Sequence, residues 1–147
     1  MPNTARQSAN FDADAIERAE AALKALSVNF KDWMTGEVER LEAARAAARA
    51  EGFSDASLDA LYLRAHDVKG LGSTYEYPLI TAVAAQLCRL LNAPGGRDAA
   101  REAPTLIDAH VDAVRAILRA GLHTADDPVV GALVAELKSR VDRWAKE

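Results

Sequence analysis

The stretch Leu61-Tyr62-Leu63-Arg64-Ala65-His66-Asp67-Val68-Lys69-Gly70-Leu71-Gly72-Ser73-Thr74 decides how the chain is read. On a helical wheel advancing about 100° per residue, Leu58, Leu61, Ala65, Val68 and Gly72 share one sector of roughly 80°. Such a sector is the core face of an amphipathic helix. His66 lies about 120° from its middle. It is therefore expected at the edge of a helical bundle, with its ring open to a partner. Two glycines inside the same helix each cost about 1 kcal/mol against alanine. Gly72 suits close packing on the core side, and Gly70 suits access on the outer side.

Working outward, Ser54 and Asp55 are cap candidates for this helix, which is expected to end near Thr74. Pro78 fits the first turn of a following helix that runs to about Leu91 and stops at Asn92-Ala93-Pro94-Gly95-Gly96. Pro104 opens another helix to about Gly121, and Asp127-Pro128 opens one ending near Trp144. Upstream, Asp12 or Asp14 is expected to start a helix with Ile16, Ala19, Leu23 and Leu26 on one face. Ser27 to Asn29 reads as a break, with a continuous bent helix as the alternative. A helix from about Phe30 to Glu51 follows, with Phe30, Trp33, Met34, Val38 and Leu41 as its stripe and Gly52 as its stop. Its Ala/Arg run from Ala43 to Ala50 reads as a solvated face. Residues 1–11 are expected to be a flexible N-terminus and 12–147 a single helical domain. Short connections between long amphipathic helices imply antiparallel neighbours in a bundle.

Composition supports an all-α reading. Of 147 residues, 50% are apolar but only 5% aromatic, and alanine and leucine dominate, which favours helix over sheet. A net charge of −4 gives no global basic signature for nucleic acid. Cys88 is the single cysteine, so no intramolecular disulfide forms, and a reducing, cytoplasmic setting is expected. The first ten residues lack the apolar core of a signal peptide, and no apolar run reaches the roughly 18–20 residues that span a bilayer. Three dispersed histidines and one cysteine offer no metal-ligand spacing.

The chemistry converges on His66. Residues three and four apart on a helix are neighbours. Lys69 therefore places an ammonium where it attracts a phosphoryl group and offsets its charge. Gly70 removes bulk beside the ring, and Ser73 continues the small surface. Imidazole is mostly neutral at pH 7 and can attack phosphorus, leaving a phosphohistidine whose P–N bond passes the group onward. The chain has no glycine-rich phosphate loop and no kinase signature for ATP. Tyr62 and Leu63 precede His66 by one turn; Leu63 points outward as part of a contact patch, and Tyr62 is either in that patch or at the core edge.

His66-Asp67-Val68-Lys69-Gly70 resembles the His-x-x-Lys-Gly core of histidine phosphotransfer (HPt) domains in bacterial multistep phosphorelays. Tyr77-Pro78-Leu79 and Leu87-Cys88-Arg89-Leu90-Leu91 extend the resemblance to stand-alone HPt proteins. It implies an antiparallel four-helix bundle, here with additional N- and C-terminal helices. It also implies His66 as phosphoacceptor, Lys69 as charge stabiliser and Gly70 as the access position. Tyr62, Leu63 and Ser73 would be partner-binding. The implied partners are response-regulator receiver domains, which supply phosphoaspartate and Mg²⁺, and a hybrid sensor kinase. The chain would carry no cofactor of its own and act as a monomer without nucleic acid or membrane. Many family members hold the imidazole with a glutamine on the next helix, at the position Cys88 occupies here. Gln86 lies about 160° away from Cys88 around that helix and does not substitute for it.

Two other functions fit parts of the pattern. A sensor-kinase dimerisation and phosphoacceptor fragment carries a similar His-Asp-x-Lys signature but continues with Thr or Asn and then Pro, where this chain has Gly70-Leu71-Gly72. A silent adaptor would bind a receiver without transfer. His110, near Ile107, Val111, Val114 and Leu118, is expected to be a satisfied core-edge histidine, and His123 a solvated or capping one.

Overall fold

Helix α1 spans Pro2–Ala50 without interruption. The computed structural model of the chain describes residues 2–122 and 127–145, with side chains from residue 12 onward. The break expected at Ser27 to Asn29 does not occur. Those residues are weaker helix formers than alanine by tenths of a kcal/mol each, and neither glycine nor proline adds the about 1–3 kcal/mol that stops a helix. Asp12 and Asp14 are interior residues rather than caps, since the helix already begins at Pro2. The chain divides into two compact units, Met1–Trp33 and Met34–Glu147. In the first unit Ile16, Leu23, Leu26 and Val28 are exposed, and the Phe30 and Trp33 rings lie 5.9 Å apart.

The second unit begins with the remainder of α1, whose Met34, Val38, Leu41 and Ala48 are buried. Gly52 and Phe53 leave the helix with positive φ values, and the Phe53 N–H bonds the Ala48 carbonyl at 2.8 Å. Helix α2 follows over Asp55–Thr74, α3 over Pro78–Asn92, α4 over Gly96–Glu102, α5 over Pro104–Ala120 and α6 over Pro128–Ala145. No strand occurs among the described residues, so the fold is all-α. Helix α3 packs against α2, α4, α5 and α6. Its Leu79, Ile80, Val83, Ala84, Leu87, Leu90 and Leu91 are buried, which makes it the central element. Helix α6 buries only Leu137 and Val141.

Helix α4 was not anticipated. It is too short for periodicity to reveal it, and its stability comes from tertiary contacts. Ala99 and Ala100 are buried, while Arg97 and Arg101 reach back to the start of α2. Arg97 pairs with Asp55 and Asp59, and Arg101 bonds Asp55 at 2.6 Å and the Phe53 carbonyl at 3.0 Å. A Cβ at Gly96 would run into the backbone carbonyl of Leu90, so α4 leaves α3 only through glycine there.

Two polar residues depart from expectation in the core. Arg45, expected on a solvated face, is buried and bonds Glu42, Asp108 at 3.0 Å and Asp112 at 3.1 Å, tying α1 to α5. These carboxylates hold its guanidinium pKa above the ordinary value, with burial opposing them. His110 is fully buried rather than at the core edge. Its Nδ1–H donates to the Leu106 carbonyl at 2.7 Å, and Nε2 is buried without a hydrogen-bond partner. Protonating Nε2 would create a donor with no acceptor. Desolvation accordingly pushes the His110 pKa below its ordinary value, with the Leu106 bond opposing it.

As pH falls below about 6.5, the unfolded chain protonates its histidine at 110 before the folded chain does. The stabilisation from neutral His110 is complete above that pH and is lost as pH falls through the lower, folded-state value. Urea unfolding between pH 7.5 and pH 5 is expected to show falling stability, with a shallower fall in His110→Gln. An equal pH dependence in the two proteins would exclude His110 as a source of it.

Candidate functional site

Ser54 caps α2, its hydroxyl oxygen accepting the Ser57 N–H at 3.2 Å, while Asp55 turns to the arginines of α4. From that start the wheel positions hold. Ser57, Leu58, Leu61, Ala65, Val68 and Gly72 are the buried residues of the helix. His66, Leu63, Gly70 and Ser73 are exposed, and Tyr62 and Lys69 are half-buried. The gradation follows from angle: Tyr62 and Lys69 stand about 70–90° from the core direction, and Leu63 and Gly70 about 170° from it.

The structure brings Tyr62, His66, Lys69 and Ser73 onto one side of α2, with Leu63 and Gly70 further round it. The Tyr62 and His66 rings are 6.1 Å apart and tilted by 36°, so Tyr62 is an aromatic neighbour of the imidazole. Arg64 and Asp67 approach each other at 3.7 Å on the other exposed side of the helix, away from His66. Nothing lies within 4 Å of a Cβ built on Gly70, which leaves the surface one turn from His66 bare.

Helix α3 supplies the other wall. Tyr62 and Lys69 line a groove with Ala85, Cys88, Arg89 and Asn92. Cys88 is buried, and burial pushes its thiol pKa up more than the neighbouring Lys69 charge lowers it. It is therefore a protonated packing residue at the position where a ring-holding glutamine was expected. Arg89 was not singled out by the sequence. It bonds Gln86 at 3.2 Å and pairs with Asp142 of α6 at 2.5 Å, which holds the Asp142 carboxyl below the usual range. Its place beside Cys88 in the resembling segment was the available signal. Ser73 lines a second, largely apolar groove with Gly72, Glu76, Pro78, Thr81, Ala82 and Ala85.

The two glycines have opposite environments. A Cβ on Gly72 would lie 2.5 Å from Thr81 Oγ1 and 3.3 Å from its backbone nitrogen, so the approach of α2 to α3 requires glycine. The intervening turn is tight: Tyr77 N–H bonds the Gly72 carbonyl at 2.7 Å, and Glu76 has a φ of 61°. At Gly70 no internal contact makes that demand.

Among the described residues, no three His, Cys, Asp or Glu side chains converge as metal ligands, and no helix is long and apolar enough to cross a membrane. His123 falls in residues 123–126, outside the described residues. Comparison with protein-family models, curated proteins and solved structures finds no match for the chain.

The glycine contrast is measurable in chemical denaturation. Gly70→Ala is expected to raise stability by about 0.5–1 kcal/mol, through helix propensity alone. Gly72→Ala is expected to lower it by about 1–3 kcal/mol, through overpacking against Thr81. Similar shifts in both variants would contradict the two environments.

Proposed function

We propose that the chain is a histidine phosphotransfer protein, relaying a phosphoryl group between His66 and aspartates of response-regulator receiver domains. The observation carrying this reading is the exposed His66 imidazole, with Tyr62 beside it, Lys69 one turn on and open space at Gly70. In this reading α1 from residue 34, α2, α3 and α5 form the HPt-like four-helix bundle. Residues before 34 and helix α6 are its N- and C-terminal additions.

A nitrogen lone pair of neutral imidazole attacks the phosphorus of a receiver's phosphoaspartate. The P–N bond forms as the acyl-phosphate P–O bond breaks, and the aspartate leaves as a carboxylate. The receiver supplies Mg²⁺, and Lys69 offsets charge on the phosphoryl oxygens. Reversal passes the group to a second receiver. Gly70 gives the receiver backbone room to approach, and Leu63, Tyr62 and Ser73 form its contact surface. A hybrid sensor kinase is the ultimate phosphoryl donor and the cytoplasm the place of exchange.

The buried thiol of Cys88 keeps one competing reading open, a receiver-binding adaptor without transfer. Incubation with phosphorylated receiver domains separates the two. The wild-type chain is expected to acquire an acid-labile label, His66→Gln none, and Lys69→Ala the label about tenfold or more slowly. Receiver binding without any label on the wild type would establish the adaptor instead. A label surviving in His66→Gln would remove His66 from the chemistry.

A further inference from the structure

With Cys88 in place of a ring-holding glutamine, no hydrogen bond from α3 fixes the plane of the His66 imidazole. The Cys88 thiol is buried, and the Gln86 side-chain carbonyl accepts a hydrogen bond from Arg89 at 3.2 Å. Arg64 and Asp67 turn to the other side of α2. Among the described residues, no side chain hydrogen-bonds the ring. A helical side chain leans toward the N-terminus, over the residues three and four before it. The imidazole therefore lies over Tyr62 and Leu63, not over Gly70. The Tyr62 ring stands on its inner side, with centroids 6.1 Å apart and planes tilted by 36°. Aromatic rings at such separations attract one another. Tyr62 is itself braced, half-buried in the groove that Asn92, Ala93 and Pro94 close at the end of α3. Leu63, on the outer side, is 62% exposed and lacks that backing. By the same rule Lys69 leans back toward His66, so ring support and charge come from opposite turns.

We infer that Tyr62 is a positioning residue, its ring holding the His66 imidazole by ring-to-ring contact in place of the missing glutamine. The inference rests on the phosphotransfer reading for its consequence, while its geometry is independent of that reading. A hydrogen bond would claim one ring nitrogen and select a tautomer. Ring contact claims neither, so both nitrogens stay available, and the Tyr62 hydroxyl has no part in the support. A helix leaves His66 two common χ1 wells, and its χ2 has two broad orientations. Release from Tyr62 therefore spreads the ring over about four states, and the population of the productive one falls about fourfold.

Three-bond NMR couplings across χ1 of His66, measured on the full chain, read the order of the ring without any partner. The wild type and Tyr62→Phe are expected to show one dominant rotamer, and Tyr62→Leu averaged couplings. Transfer from a phosphorylated receiver domain reads the consequence. Tyr62→Phe is expected to match the wild type. Leucine keeps an apolar contact for the receiver, so Tyr62→Leu should leave the half-saturating receiver concentration unchanged and lower the maximal rate about fourfold. Averaged couplings in the wild type, or a single rotamer retained in Tyr62→Leu, would overturn the proposal. So would a raised half-saturating concentration at an unchanged maximal rate, which would make Tyr62 a contact residue only. If the wild type takes no label, the phosphotransfer reading fails, and the couplings alone decide the role of Tyr62.

Discussion

The close approach of α2 to α3 at Gly72 and Thr81 is the constraint on which the site depends. With no side chain at residue 72, the two helices come near enough for Thr81 Oγ1 to be buried there without a hydrogen-bond partner. That contact, with the tight turn through Glu76 and Tyr77, fixes the rotation of α2 about its axis. Rotation in turn decides which residues face water. Once Leu61, Ala65 and Val68 are turned inward, His66 has nowhere to stand but outside, and Tyr62 and Lys69 must lie along the seam with α3. The site is thus a by-product of helix geometry and needs no special loop to present it.

Buried polar groups elsewhere follow the same economy. Arg45 enters the interior only because Glu42, Asp108 and Asp112 converge on it, and a guanidinium without them would be costly to bury. His110 has one nitrogen satisfied within its own helix and the other left bare, which is tolerable only while the ring is neutral. Cys88 is accommodated as a thiol for the same reason. The thiol behind the candidate site is therefore neutral, and the charges lining the groove in front of it are Lys69 and Arg89.

Much of this was legible in the chain because α2 and α3 are governed by local rules: apolar period, Ser54 at the start, Pro78 at the next start and Gly121 at a left-handed stop. The core face of α2 could be written down residue by residue. What escaped depended on partners distant in sequence. Arg45 looked solvated because the carboxylates that receive it lie on α5. Helix α4 has too few residues to show a period, and its arginines declare themselves only when Asp55 and Asp59 are beside them. Ser27 to Asn29 looked like a break because weak helix formers cluster there, yet a few tenths of a kcal/mol do not outweigh the cooperativity of a long helix. At the site, the sequence placed His66, Lys69 and Gly70 and set Cys88 on the facing helix, but it did not single out Arg89.

The two ends of α2 are fastened by forces of different kinds. At its beginning, Arg97 and Arg101 hold Asp55 and Asp59 through exposed charge pairs. At its end, Gly72 is locked to α3 by contact between uncharged atoms. Dissolved salt screens the first attachment and leaves the second almost untouched. Cold weakens burial at the second and spares the charges. Ionic strength and temperature therefore select which end of the helix frays first, and His66 sits between two fastenings that do not loosen together.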